Sequence, residues 1–293
     1  MSGPVALPHP RTWHALVSLA IEEDVGSGDV TSSLVISPDA AGRAVVEARE
    51  SSIVCGLPIA EAVFREVDPS LSFESLHAEG TRATPGQPLA VISGSMRGIL
   101  TAERTALNFL MRLCGIATFT RSFVDAVAGT SCKIVDTRKT LPGWRVLDKY
   151  AAAVGGAHNH RFGLSDGILL KDNHIAAAGG VVAAVKTAIS GAPANLRVQV
   201  EVESPSDARA AIEAGAEFLL LDNWSSEDTA RAVPELRERA LLESSGGIHL
   251  GNVRDYAEAG VARISIGALT HSAPAADIAL EIEQMDTLGG VTG

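Results

Sequence analysis

Cysteine is scarce. The 293 residues hold three, Cys55, Cys114 and Cys132, and no two of them form a C-x-x-C pair. An odd, scattered set argues against a disulfide framework or a cysteine zinc site and fits a reducing compartment. Long apolar runs are missing too. No stretch reaches the roughly 18 apolar residues that a membrane helix needs, so no membrane span is expected. The N-terminus has no basic flank leading into an apolar run, so no signal peptide is expected, and the protein is placed in the cytoplasm. Positive charge is also in deficit. Lys and Arg number 24 against 35 Asp and Glu, a formal net charge of −11. A general nucleic-acid binder carries a basic surface, so that class is set aside.

What remains is a chain that is 46% hydrophobic and 20% charged, normal for a globular protein with an ample core. Its length suits one large domain or two unequal ones. Its charge is unevenly spread. From Lys133 to Lys171 seven Lys/Arg face three Asp, a local charge of +4 that leaves −15 for the rest of the −11 chain. This island holds Arg138, Lys139, Arg145, Lys149, His158, His160, Arg161 and Lys171, with His174 just beyond. A positive island in an acidic chain calls for an anionic ligand.

Residues 1–11 carry three prolines and read as irregular. From Thr12 to Asp24, Trp13, Leu16, Val17, Leu19, Ala20 and Ile21 recur at helical spacing, with Thr12 as N-cap. The polar stretch Glu23–Ser32 reads as a loop whose carboxylates serve capping and turns. Residues 43–98 hold short strand-like runs around one helix at 59–67, and 79–95 reads as a hairpin with a Pro-Gly turn. This part is expected to be a small α+β domain. Residues 99–128 form a long apolar helical region that Gly115 is expected to break. Arg104 and Arg112 there read as solvated or ion-paired, with Glu103 or Asp125 as partners.

From Lys133 onward, apolar runs of strand length appear at 133–136, 167–171, 197–203, 217–222, 240–244 and 263–267. Helical patterns separate the later ones, as in a parallel α/β fold. The runs Ile168-Leu169-Leu170 and Phe218–Leu221 fit a sheet covered on both faces. Gly179, Gly215 and Gly260 sit where helix C-caps are expected.

Such folds place their sites at the C-terminal ends of strands. Here those ends carry Asp136-Thr137-Arg138-Lys139, Lys171, Glu201 and Glu203, Asp222, Glu243 and Ser244-Ser245-Gly246-Gly247, and Gly267-Ala268-Leu269-Thr270-His271. Capping explains one or two of these, but not a full set. The two glycine-containing ends precede helices and suit phosphate, and they belong to the last two strands, where α/β barrels often bind it. In the run 197–203, Gln199, Glu201 and Glu203 share the face that a closed barrel turns to its lumen. Glu201 and Asp222 there either hold Mg²⁺ together with a phosphate-bearing substrate or pair with internal Lys or Arg. Arg138, Arg161 and Arg104 suit a carboxylate compound, and Lys139 and Lys171 suit phosphates. His158, His160 and His174 fit hydrogen bonding to an anion better than metal binding, because their neighbours are basic. Trp144 and Tyr150 read as packing residues.

These motifs resemble one family. Residues 23–32 (EDVGSGDVTS), 103–118 (ERTALNFL with GIAT), 136–145 (DTRKTLPGWR), 149–164 (KYA, GG, NHR, GL), 170–175 (LKDNHI), 200–204 (VEVES), 219–223 (LLLDN), 243–248 (ESSGGI) and 266–272 (IGALTHS) are similar to quinolinate phosphoribosyltransferases. That family is also called nicotinate-nucleotide pyrophosphorylase (carboxylating). The matches run in family order almost to the end of the chain.

The resemblance implies an α/β fold: an incomplete seven-stranded parallel α/β barrel with an N-terminal α+β sandwich domain. Its segments would be a helix at 1–24 packing with the barrel domain, the sandwich at 25–115 and the barrel at 116–293. The implied enzyme is a pentosyltransferase of NAD biosynthesis. It joins quinolinate to phosphoribosyl pyrophosphate and gives nicotinate mononucleotide, pyrophosphate and CO₂. By resemblance Arg104, Arg138, His160, Arg161 and Lys171 hold the two carboxylates, with Thr137 beside them. Lys139 meets the pyrophosphate. Ser245, Gly246, Gly247, Ile266, Gly267, Ala268 and His271 surround the phosphates. Glu201 and Asp222 hold ribose hydroxyls, Mg²⁺ or both, and with Lys139 and Lys171 form the catalytic set. The family works as homodimers with shared sites, so Arg104 would reach the partner's substrate.

Ala102, Met111, Cys114 and Ala157 depart from the family's usual Gly, Gln, Ser and Gly and read as packing changes; Gln199 replaces a frequent acid. Three alternatives remain open at this level. One is a paralogous barrel phosphoribosyltransferase acting on another acceptor. The others are a barrel aldolase or decarboxylase with Lys171 as a Schiff-base lysine, and a non-catalytic phosphosugar-binding protein.

Overall fold

The computed structural model describes residues 5–286. In chain order its elements are α1 (His14–Val25), α2 (Val30–Val35), β1 (Ala41–Ala48), β2 (Ser52–Ile53), α3 (Leu57–Val67), β3 (Ser72–Ser75), β4 (Arg82–Ala83), β5 (Pro88–Ser95) and α4 (Met96–Ala126). Then follow β6 (Lys133–Val135), α5 (Arg145–Val154), β7 (Ile168–Leu170), α6 (Asp172–Ala177), α7 (Val181–Gly191), β8 (Val198–Val202), α8 (Pro205–Glu213) and β9 (Phe218–Asp222). The last are α9 (Ser226–Leu236), β10 (Leu241–Ser245), α10 (Val253–Glu258), β11 (Arg263–Ser265), α11 (Ala268–His271) and β12 (Ile278–Asp286).

These elements form two compact units that are not contiguous in sequence. The first takes the chain up to Thr120, Leu141–Gly155 and the described residues from Ala273 onward. The second takes Arg121–Thr140 and Gly156–Ser272. Residues 141–155 and the described residues from Ala273 thus pack with the first unit although they follow or interrupt the second in sequence.

The first unit is built on an antiparallel sheet in the order β12-β1-β5-β3. Ala44, Val46 and Ala48 of β1 and Leu89, Ala90 and Ile92 of β5 are fully buried, which ties the register to the core. The expected hairpin at 79–95 does not form. Strand β4 pairs with β2, and β5 pairs with β1 and β3, because the Pro-Gly turn separates two partners instead of joining them. Asp29 caps α2 by accepting from the Ser32 N–H at 2.9 Å, as the capping reading of 23–32 expected. The first long helix begins a residue later than expected. Trp13, not Thr12, is its N-cap, while the Thr12 hydroxyl donates to His9 O in the 3₁₀ turn before it.

Helix α4 runs unbroken for 31 residues, so Gly115 does not end it. The glycine is there for proximity: a Cβ would collide with Pro274 O and lie 3.1 Å from Ala275 Cα. The Ala276 N–H donates to Met111 O alongside, at 2.8 Å. Arg112 pairs with neither Glu103 nor Asp125. Its guanidinium meets buried Asp148 through two bonds of 2.8 and 2.9 Å, the fork geometry that suits a carboxylate. Trp144 stacks on Phe109, and Tyr150 is buried with its hydroxyl donating to Glu79, so both are packing residues.

The second unit is a parallel six-stranded sheet in the order β6-β11-β10-β9-β8-β7. One isolated parallel bridge, Val135 to His158, continues it beyond β6. Six strands and this bridge stand, among the described residues, where seven were expected. Phe218–Leu221 of β9 are buried on both faces, whereas Ile168–Leu170 are only half-buried because β7 is an edge. Helices cover the sheet with conventional starts. Ser204 and Ser225 cap α8 and α9 by accepting N–H groups three residues on, and Pro205 occupies the first turn of α8. Gly179, Gly215 and Gly260 follow the C-caps with positive φ, as expected.

Candidate active site

All six strands of the second unit deliver their C-terminal ends to one cavity of about 380 Å³. It is lined from β6 by Thr137, Arg138 and Lys139, from the following loop by His160 and Arg161, and from β7 by Leu169 and Lys171. Glu201 of β8, Leu220 and Asp222 of β9, and Glu243, Ser245, Gly246, Gly247 and Ile248 of β10 and its loop continue the wall. Ser265, Ile266, Gly267, Ala268 and His271 close it. Every predicted site residue except Arg104 is among them. Arg104 is exposed on α4 in the first unit.

The basic island divides. Arg138, Lys139, His160, Arg161 and Lys171 reach the cavity. Lys149 is instead fully buried on α5, and His158 is exposed. The His174 imidazole accepts the Lys171 N–H at 3.0 Å and caps α6. Helix α5 itself was not foreseen, although Leu147, Tyr150, Ala151 and Val154 have helical spacing and are all buried.

Buried Asp136, at the end of β6, organises the next loop. Its carboxylate accepts the His160 N–H at 2.8 Å and the Asn159 side-chain N–H at 2.6 Å. That fixes where Arg161 leaves the backbone, and Arg161 Nη1 then donates to Gly167 O at 2.8 Å. Arg138 lies close by. Burial and then the Arg138 charge lower the Arg161 pKa. The Arg138 Nε is itself buried without a hydrogen-bond partner. Two neighbouring guanidiniums with an unused donor form a receptor for a carboxylate.

After β7, Lys171 Nζ lies 3.2 Å from Glu201 Oε2. Burial, and next the Glu201 charge, raise the Asp222 carboxyl above its ordinary range, with Lys171 and Lys139 opposing. Glu203, expected on the same lumen face, is exposed and outside the cavity. No group of three or more His, Cys, Asp or Glu among the described residues is arranged to hold a metal ion. The glycine loops meet the remaining wall. Gly246 and Gly247 have φ of +93° and +63°, and the Asn223 N–H donates to Ser245 O at 2.8 Å. The Thr270 hydroxyl donates to Lys139 O at 2.7 Å, tying the last loop to the first. The sequence reading missed Glu243 as a site residue; its place on β10, in line with the other lumen carboxylates, was the available signal.

Four cations, three carboxyl side chains and two glycine loops at the open ends of a parallel α/β sheet define a barrel protein suited to small, multiply anionic molecules. Comparisons with known proteins narrow this class. The model of the quinolinate phosphoribosyl transferase N-terminal domain matches residues 29–114, and that of the C-terminal domain matches 116–281. The chain belongs to the quinolinate phosphoribosyl transferase family. It is 43% identical to the nicotinate-nucleotide pyrophosphorylase (carboxylating) of Mycobacterium leprae, covering 90% of this chain and 94% of the relative. A probable enzyme of that name from Synechocystis is 40% identical, over 89% and 90%. The solved nicotinate-nucleotide pyrophosphorylase of Francisella tularensis superposes with a TM-score of 0.91 at 36% identity, covering 97% of this chain and all of that one. No helix among the described residues is long and apolar enough to cross a membrane.

Proposed function

We propose that this protein transfers phosphoribosyl from phosphoribosyl pyrophosphate to quinolinate with decarboxylation, giving nicotinate mononucleotide, pyrophosphate and CO₂ in NAD biosynthesis. The observation that carries this is the Arg138–Arg161 pair with the buried, unused Arg138 Nε. Adjacent guanidiniums at the end of a barrel suit adjacent carboxylates. The names of relatives at about 40% identity over nearly the whole chain agree with it.

Quinolinate binds with its carboxylates on Arg138, Arg161 and Lys171. The 5′-phosphate sits on Ser245-Gly246-Gly247 and Gly267-Ala268, where backbone N–H groups are accessible. Lys139 meets the pyrophosphate. Glu201 and Asp222 face the ribose and stabilise positive charge that develops at the anomeric carbon. The pyridine nitrogen attacks that carbon as pyrophosphate leaves, and the resulting pyridinium accepts the electrons released when the 2-carboxylate departs as CO₂. The protein contributes position and electrostatics and forms no covalent bond.

Glu201 and Asp222 are the residues that would hold Mg²⁺ together with a phosphate-bearing substrate. When bound it supplies charge neutralisation for the departing pyrophosphate. The mutual influence of these two carboxylates favours a cation there. The protein is a homodimer in this reading, and exposed Arg104 enters the partner's site. The ion pair of Lys171 with Glu201 favours an ammonium over a Schiff-base amine.

The test is to mix the purified protein with quinolinate, phosphoribosyl pyrophosphate and Mg²⁺ and to measure nicotinate mononucleotide and CO₂. No product, or equal turnover with nicotinate as acceptor, overturns the proposal. Mixing Arg104→Ala with Arg138→Ala restores activity if sites are shared, and no recovery refutes sharing.

A further inference from the structure

Thr270 does not line the cavity and is only 1% exposed, yet it is bonded to a residue that does line it. It stands on α11, after β11, and its hydroxyl donates to Lys139 O at 2.7 Å, 131 residues away in sequence. Gly267 O lies farther from the same hydroxyl, at 3.3 Å. A hydroxyl has one hydrogen, so the shorter contact takes it. The turn that carries Lys139 also closes on itself. The Lys139 N–H donates to the Thr137 hydroxyl at 3.0 Å, and the Thr140 N–H donates to Arg138 O at 2.9 Å. Those local bonds set the shape of the turn. The Thr270 bond sets where it stands against the loop after β11.

The same loop meets the Lys139 stem. A Cβ on Gly267 would lie 2.7 Å from Lys139 Cδ and 3.2 Å from His271 Nε2. The lysine stem and the histidine ring therefore both pass close over one bare stretch of backbone. An ammonium on four methylenes has many rotamers, and holding an anion in one place costs it that freedom. Lys139 is exposed and lines the cavity, so burial does not order it. A fixed carbonyl at one end and the Gly267 backbone under the stem reduce the freedom that remains to be lost.

We propose that Thr270 is a positioning residue for the leaving-group half of the site: its buried hydroxyl pins the Lys139 carbonyl to the loop after β11, so that the pyrophosphate lysine and the phosphate-binding backbone of Gly267-Ala268 keep one spacing. This rests on Lys139 meeting the pyrophosphate in the proposed reaction. Thr270 touches no substrate, and its effect passes through Lys139. The charge that Lys139 meets grows as pyrophosphate leaves. A displaced Lys139 therefore slows bond breaking more than it weakens the binding of phosphoribosyl pyrophosphate.

Inorganic pyrophosphate, with Mg²⁺ present, is the probe, and calorimetric titration reads its affinity without the acceptor. Thr270→Val keeps the shape of the side chain and removes the hydroxyl; Thr270→Ala is a second deletion should the first not fold. Both are expected to bind pyrophosphate about tenfold more weakly than wild type, the effect of about one hydrogen bond, while Thr270→Ser keeps the hydroxyl and stays within about twofold. In single-turnover reactions with both substrates, Thr270→Val is expected to react about tenfold more slowly, with the half-saturating concentration of phosphoribosyl pyrophosphate changed by about twofold at most. Lys139→Ala should lose more, and adding Thr270→Val to it should cost no more than about twofold further, because the lysine to be positioned is gone. Deletion variants that bind pyrophosphate like wild type, a serine that does not rescue, or a Val loss that adds in full to that of Lys139→Ala overturns the proposal. Reduced stability in urea with unchanged affinity is the outcome of a merely structural role, and overturns it too. The expected pyrophosphate pattern without any nicotinate mononucleotide sinks the proposed reaction and leaves this inference standing. A wild type that forms nicotinate mononucleotide but shows no such pattern sinks this inference alone.

Discussion

Gly246→Ala and Gly247→Ala are neighbouring substitutions with unequal expected outcomes. Both residues have positive φ, so both alanines are strained. Gly247 at +63° sits in the ordinary left-handed region, where a Cβ costs about 1 kcal/mol. Gly246 at +93° lies outside it, which costs about 1–2 kcal/mol. Space separates them further. Nothing lies within 4 Å of a Cβ on Gly247. A Cβ on Gly246 would sit 2.8 Å from Asn223 Cγ and 2.9 Å from Asn223 N, inside contact distance. The Asn223 side chain can swing away, but it then gives up its 2.7 Å bond to Asp222, a bond to a charged group worth about 1.5–3 kcal/mol in a buried setting and less here. The Asn223 backbone cannot move freely, because its N–H is bonded to Ser245 O. Overpacking of this kind adds about 1–3 kcal/mol. Gly246→Ala is therefore expected to lose about 3–4 kcal/mol and Gly247→Ala about 1. Urea unfolding measures both, and the Michaelis constant for phosphoribosyl pyrophosphate should rise far more in the first. Losses that agree within about 0.5 kcal/mol, the ordinary scatter between surface variants, refute the steric account.

Arg138→Lys is expected to be nearly as damaging as Arg138→Ala, because an ammonium cannot reproduce a planar fork. Quinolinate kcat/KM should fall about a hundredfold in both, and full rescue by Lys counts against bidentate binding. Asp222 carries a raised carboxyl, so its ionised form is lost at a higher pH than for an ordinary aspartate as the solution is acidified. The acid limb of kcat/KM for phosphoribosyl pyrophosphate should sit correspondingly high, and Glu201→Gln should move it down but not fully, since burial is the larger cause. A limb that does not move would mean that another group controls it. Burial pushes the Cys114 and Cys132 thiols up to about 12, and Cys55 is also buried and raised. All three are expected to resist a thiol reagent at about pH 8 until the protein unfolds; fast reaction of the native protein contradicts their burial.

The barrel half was the more legible from sequence because its signals are local. Phe218–Leu221 must be covered on both faces, Ser204 and Ser225 announce their helices, and glycines follow the ends of α6, α8 and α10. The site was legible for a related reason: in a parallel sheet each strand end reaches the same mouth, so residues distant in sequence converge without any pairing having to be guessed. The antiparallel sheet was not legible in detail. Whether β4 joins β5 or β2 depends on contacts between segments far apart, and a Pro-Gly turn is equally consistent with both. Gly115 shows the same limit. Its reason is Pro274 O, a partner 159 residues on, so a helix-break signal was the only one visible.

Glu243 was hidden differently. Its type and position were on the page, but charge patterning treats every carboxylate as an anion. Only its complete burial and a His160 ring nitrogen 3.6 Å away distinguish it from Glu201, which has Lys171 at 3.2 Å. The two carboxylates thus divide the work of one lumen. A cation faces Glu201, and that same contact occupies Lys171. Under the proposed reaction, a ligand carboxylate would gain Lys171 by replacing Glu201, and a ribose on Glu201 would release Lys171 for the acceptor. Glu243 is fully buried, and its His160 contact, Nε2 to Oε1, is longer at 3.6 Å.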